Sequence, residues 1–98
     1  MEDHKVVVTL DSNGNLRVGP GVSKNGQDKV KWKNKTGEDG LIIEFAVSPF
    51  EGGPTYGPIN NRDSELSRKL RADVQPGAYK YTVKLGSKVL DPNVIVDN

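Results

Sequence analysis

An all-β fold, a single Greek-key β-sandwich of about seven strands spanning residues 1–98, is predicted by three observations. Apolar residues recur at period two in short runs: Val6 with Val8, Val30 with Trp32, and Tyr79, Tyr81, Val83 and Leu85. That alternation marks half-buried strands. Eleven Gly and six Pro separate the runs as turn residues, and few stretches favour a long helix. The hydrophobic fraction, 34%, is low, as expected when about half of each strand faces water. A chain of 98 residues has enough apolar surface for one core and not for two.

The elements follow in order. Residues 5–10 put Val6, Val8 and Leu10 on one strand face. Asp11-Ser-Asn-Gly-Asn15 then contains Asn-Gly, whose tolerance of positive φ suits a hairpin turn. Leu16-Arg-Val18 is a short second strand, ended by Gly19-Pro-Gly21, and Ser23-Lys-Asn-Gly-Gln27 holds a second Asn-Gly turn. Residues 29–34 alternate cleanly, with Val30 and Trp32 inward and Lys29, Lys31 and Lys33 outward. A loop over 34–40 leads to residues 41–47, apolar enough for a central strand. Residues 48–63 hold three Pro and three Gly and read as the longest irregular stretch. Residues 64–74 satisfy two patterns. Leu66, Leu70 and Val74 have helical spacing among good helix formers, yet Leu66, Leu70, Ala72 and Val74 also share a strand face. The Gln75-Pro-Gly77 reversal favours the strand, paired as a hairpin with residues 78–85. A short apolar run over 94–96 closes the chain.

Composition removes several function classes. Without cysteine there is no disulfide, zinc–thiolate site, iron–sulfur cluster or thiol nucleophile. Fourteen basic and thirteen acidic residues give a net charge of +1, less than a nucleic-acid domain usually carries, so no nucleic-acid partner is expected. No apolar run approaches the roughly 18 residues of a membrane span. No export signal precedes His4, which fits either a cytoplasmic chain or one cut after its signal.

Two motifs carry a family resemblance. Val30-Lys-Trp-Lys-Asn34 resembles the V-x-W-x-N strand of cupredoxins, and Gln75-Pro-Gly-Ala-Tyr-Lys-Tyr81 resembles their P-G-x-Y-x-Y/F approach to the copper-binding Cys. The order of segments is similar from residue 5 to 96, with an immunoglobulin-like sandwich as the alternative. The resemblance implies copper ligands at or near Gly40, at Val83, at Gly86 and at Asp91, and none of these residues can form a site of two His and a thiolate. It therefore implies a cupredoxin-like scaffold without copper, with no cofactor and no metal. It also implies a place outside the cytoplasm, periplasmic or secreted.

Other groupings have an ordinary reading beside the functional one. His4, the sole imidazole, would be third in Glu2-Asp3-His4 if Met1 were removed, a Cu(II)-binding terminus, but Glu at the second place opposes that removal. Asp11-Ser-Asn-Gly-Asn15 offers oxygen ligands faintly like a calcium loop, yet has Gly at the fourth place and Val22 at the twelfth, so a hairpin turn is favoured. Lys29, Lys31, Lys33 and Lys35 form a basic stripe that reads as a solvated or guarding face, or as a surface for an anionic partner. Asn34-Lys-Thr36 is a formal glycosylation sequon, or simply a turn. Glu38, Asp39, Glu44, Glu51, Asp63 and Glu65 are scattered, so a carboxylate-based hydrolase is the weaker alternative, since acid–base work also needs a pocket that shifts a pKa.

The function expected from the sequence is a non-catalytic binding module for an unknown protein or small molecule. Its ligand-binding anchors are Phe50 and Tyr56, aromatics on the 48–63 loop that otherwise cap the core. The alternative is a structural subunit that forms a homo-oligomer through an edge strand or the lysine face.

Overall fold

The protein is described by a computed structural model over residues 4–19, 22–24 and 29–96, with backbone alone at residues 4 and 22–24. The strands are β1 (His4–Leu10), β2 (Leu16–Gly19), β3 (Val22–Lys24), β4 (Val30–Asn34), β5 (Leu41–Phe45), β6 (Thr55–Ile59), β7 (Ser64–Leu66), β8 (Gly77–Leu85), β9 (Lys88–Leu90) and β10 (Asn93–Val96). No helix occurs among the described residues. One sheet has the order β2-β1-β4-β7; the other runs β3-β10-β8-β5-β6, with β9 also paired to β8. The two sheets pack as a β-sandwich. Consecutive strands β2 and β3 lie in different sheets.

The inward register follows the sequence alternation. β1 and β4 run parallel with Val6 beside Trp32. Val6, Val8, Val30 and Trp32 thus point together into the core, where each is at most 1% exposed. From the facing sheet come Leu41, Ile43 and Phe45 of β5 and Tyr81, Val83 and Leu85 of β8, all buried. Trp32 is the hub: its ring lies 5.1 Å from Tyr56, 5.8 Å from Tyr81, 6.1 Å from Phe45 and 6.3 Å from Phe50. The first hairpin turns as its sequence requires. Gly14 has φ +79, and both Asn13 N–H and Asn15 N–H donate to Asp11 Oδ1 at 2.9 Å. Those donors, led by Asn15 and joined by Arg17, hold the Asp11 carboxyl below its ordinary 3.8.

Three expectations are corrected. The described residues form ten strands where about seven were expected. The added strands are β3, β6 and β9, and β6 lies within the stretch read as irregular. Gly57 and Pro58 there look like breakers, but an edge strand accepts Pro because its outer N–H has no partner to lose. The strand expected over 41–47 ends at Phe45, and Val47 is 64% exposed.

Residues 64–74 form neither a helix nor one long strand, and they do not pair with residues 78–85. β7 covers only three residues and pairs with β4. The break comes at Ser67, which is 2% exposed: its Oγ accepts from Val30 N–H at 2.9 Å and donates to the Arg68 carbonyl at 2.9 Å. With the hydroxyl turned inward, Leu66 is left 43% exposed. The chain then follows the 49–51 segment, with Glu51 N–H donating to the Lys69 carbonyl and Arg71 N–H to the Pro49 carbonyl. Leu70 still reaches the core, Val74 is partly buried against it, and Ala72 is exposed. β8 has β5, β9 and β10 as its neighbours instead. The Gly19-Pro-Gly21 break, the second Asn-Gly turn and the Glu2-Asp3-His4 terminus fall wholly or partly outside the described residues.

Candidate functional site

The expected loop anchors are not both available to a ligand. Phe50 is 1% exposed, its ring in edge contact with Trp32 and Phe45. Tyr56 is 7% exposed, and burial is the main cause that raises its phenol pKa. Tyr56 nonetheless lines a surface cleft. Its hydroxyl accepts a long hydrogen bond from Arg68 N–H at 3.4 Å, and the cleft, of about 520 Å³ between β6 and β7, is also lined by Glu65, Ser67 and Arg68. Tyr81 is likewise raised by burial, partly offset by the nearby Trp32 indole. The indole approaches the phenol without a formed hydrogen bond, because Trp32 Nε1 has no acceptor at bonding geometry.

The positions matched to copper ligands are occupied by packing and turns. Val83 is fully buried, Gly86 sits in the turn between β8 and β9, and Asp91 accepts from Thr82 Oγ1 at 2.9 Å. No group of three or more His, Cys, Asp or Glu placed to hold a metal occurs among the described residues.

What distinguishes the two outward faces is charge. On the five-strand path Lys84 Nζ lies 3.0 Å from Glu44 Oε2, while Lys80 of β8 has no ion pair with a described residue. On the four-stranded sheet the outward positions are those between the core residues, and the register fixes their neighbours. Lys5 of β1 sits beside Lys31 of β4, which sits beside Leu66 of β7. One row along, Val7 sits beside Lys33, and Lys33 beside Ser64. Lys35 N–H donates to the Val8 carbonyl at 2.8 Å, which continues the ladder and keeps Lys35 on the same side. Arg17 is at the rim, 3.3 Å from Asp11. Lys5, Lys31, Lys33 and Lys35 form no ion pair with any described residue. The sequence stripe is therefore wider than it reads, because parallel pairing adds Lys5. Such pairing of distant segments leaves no local signal.

At one end this face meets a recess of about 430 Å³ lined by Lys33, Lys35, Gly37, Asn61 and Arg62. Behind it stands Asn34, fully buried. Its Nδ2 donates to the Glu38 and Ile59 carbonyls, both at 2.8 Å, and its Oδ1 accepts from Thr36 N–H at 3.0 Å and Thr36 Oγ1 at 2.7 Å. The sequon Asn is thus consumed by the fold and is not presented to an oligosaccharide. Two further bonds tie the loops to each other: Gly37 N–H to Asn61 Oδ1 at 3.0 Å, and Asn61 N–H to Asp39 Oδ1 at 2.9 Å. Asp63 N–H donates to the Asn60 carbonyl at 2.9 Å, closing a turn with Arg62 at φ 73. That turn position usually takes Gly or Asn, since a side chain there costs about 1–2 kcal/mol.

No family model and no curated protein matches this chain.

Proposed function

We propose that this protein is a non-catalytic interaction module that docks an acidic polypeptide segment on the outward face of its four-stranded sheet. One observation carries the reading: Lys5, Lys31, Lys33 and Lys35 share a face with no counter-ion among the described residues, whereas on the other face Lys84 is paired with Glu44. Like charges on neighbouring strands repel, so a carboxylate-rich partner gains from neutralising them. An acidic polypeptide is favoured over nucleic acid because no described residue of the face offers a stacking ring; Trp32 points the other way. The scaffold is proposed to be cupredoxin-like, Greek-key and free of copper. Its support is that the V-x-W-x-N segment forms β4 and the P-G-x-Y segment leads into β8, each an interior strand of its sheet. A site of action outside the cytoplasm goes with that resemblance.

The second reading, self-association through an edge strand, meets short edges. β2, β3, β6 and β7 have three to five residues, and β6 contains Pro58. Short edges and edge Pro discourage strand addition.

The test is calorimetric titration with a glutamate-rich peptide at low salt. Saturable binding that weakens with added salt and is lost in Lys5→Glu/Lys31→Glu, with the unfolding midpoint unchanged, is expected. Equal binding by that variant would refute the reading, as would tighter binding to duplex DNA than to the peptide. A concentration-dependent dimer in sedimentation would favour the second reading.

A further inference from the structure

We propose that the recess lined by Lys33, Lys35 and Arg62 binds a phosphoryl group. The inference rests on the acidic-partner reading above, because Lys33 belongs both to that face and to the recess.

Three cations line one cavity, and none is ion-paired to a described residue. A single carboxylate at a solvated surface gains little from any one of them. A phosphoryl group near −2 charge has three strong acceptor oxygens and uses all three cations, with the planar Arg62 fork as the geometric match. The carboxylates of the neighbouring loops, Glu38, Asp39 and Asp63, do not line the cavity, and Asp39 is engaged by Asn61 N–H. The walls are cross-linked by hydrogen bonds: Asn34 binds the 36–38 loop to Ile59, and Gly37 is bound to Asn61. Arg62 is the residue that shape alone does not explain. It occupies a left-handed backbone position where Gly or Asn is cheaper, yet its backbone N–H is held at 2.7 Å by the Asn34 carbonyl. The strained position is kept with a guanidinium that bonds no described residue, and a ligand oxyanion gives that group a partner.

The same chemistry arises from a free small phosphate or from a phosphorylated side chain in the acidic segment, and the probes separate them. Amide resonances are followed during titration with inorganic phosphate at constant ionic strength, then with a phosphoserine-containing glutamate-rich peptide and its unphosphorylated form. Saturable shifts at residues 35–38 and 60–63 are expected. A phosphopeptide at least about tenfold tighter than both other probes identifies a side-chain phosphate; parity with inorganic phosphate identifies a free one. Arg62→Asn should weaken phosphate binding about tenfold or more without lowering the unfolding midpoint, because Asn suits the turn. Lys5→Glu/Lys31→Glu should weaken the unphosphorylated peptide while the local phosphate shifts persist, so the two proposals fail separately. Phosphate shifts that do not saturate, that spread evenly over the lysines, or that survive Arg62→Asn unchanged would overturn the phosphoryl site.

Discussion

Asn34→Ala removes the side chain that knits the wall of the recess, and its cost follows from the bonds lost. Four hydrogen bonds disappear, at 2.7 to 3.0 Å, from a residue with no solvent exposure. Each contributes a net of about 1 kcal/mol. The Ile59 carbonyl lies on the buried side and is left without this donor, the most expensive single loss. Thr36 is less affected, since its hydroxyl also donates to the Glu38 carbonyl at 3.2 Å. The expected total is about 3–4 kcal/mol, out of the roughly 5–15 kcal/mol that holds a small domain together. In urea, with a slope of about 1.5 kcal/mol per molar, the midpoint should fall by about 2 M. Asn34→Asp keeps the shape but replaces a two-proton donor by an oxygen facing two carbonyls. It should cost at least as much near neutral pH and less in acid, where protonation restores one donor. Equilibrium urea unfolding monitored by Trp32 fluorescence measures both. A loss below about 1 kcal/mol for Asn34→Ala would refute the argument that this side chain fixes the loops.

Three further outcomes are expected. Trp32→Ala should cost about 3–5 kcal/mol in chemical unfolding, since a fully buried indole at the centre of the aromatic cluster is lost; below about 1 kcal/mol the assigned register of β4 fails. Asp11 contributes stability that is present above its ordinary pKa and lost as pH falls through its depressed folded value. Asp11→Asn should therefore flatten the acid limb of the stability–pH profile below about pH 4, and an unchanged limb would contradict the turn assignment. Gly57 has φ +107, and a Cβ there would meet the Leu41 carbonyl oxygen at 2.6 Å. Gly57→Ala should cost about 3 kcal/mol by thermal unfolding, and a neutral result would contradict the β5–β6 pairing.

The elements legible in the sequence are those whose periodicity reports burial directly. Trp32, Val30, Tyr81 and Val83 alternate because one sheet face is apolar, and the structure buries all four. β6 and the 64–74 segment were illegible for opposite reasons. β6 carries breakers that only an edge position tolerates. Residues 64–74 show an apolar spacing that local chemistry at Ser67 overrides, because one inward hydroxyl bonded to Val30 ends the strand. Of the site, Lys31, Lys33 and Lys35 were visible within the lysine stripe over residues 29–35. Lys5 was not, since it joins through pairing across more than twenty residues. Arg62 carried no signal at all: an Arg in a turn becomes notable only when its positive φ and its neighbours Lys33 and Lys35 are seen. Phe50 and Tyr56 were visible as aromatics on a Pro/Gly-rich stretch, but composition does not say which way a ring points.

The central claim, that the four-stranded sheet presents its lysine face to an acidic segment, is tested most directly by mapping the glutamate-rich peptide onto the amide spectrum. The account predicts saturable shifts confined to β1, β4, β7 and the 35–40 loop, abolished by Lys5→Glu/Lys31→Glu. Shifts centred on β5, β8 and β10, or none at low salt, would contradict it.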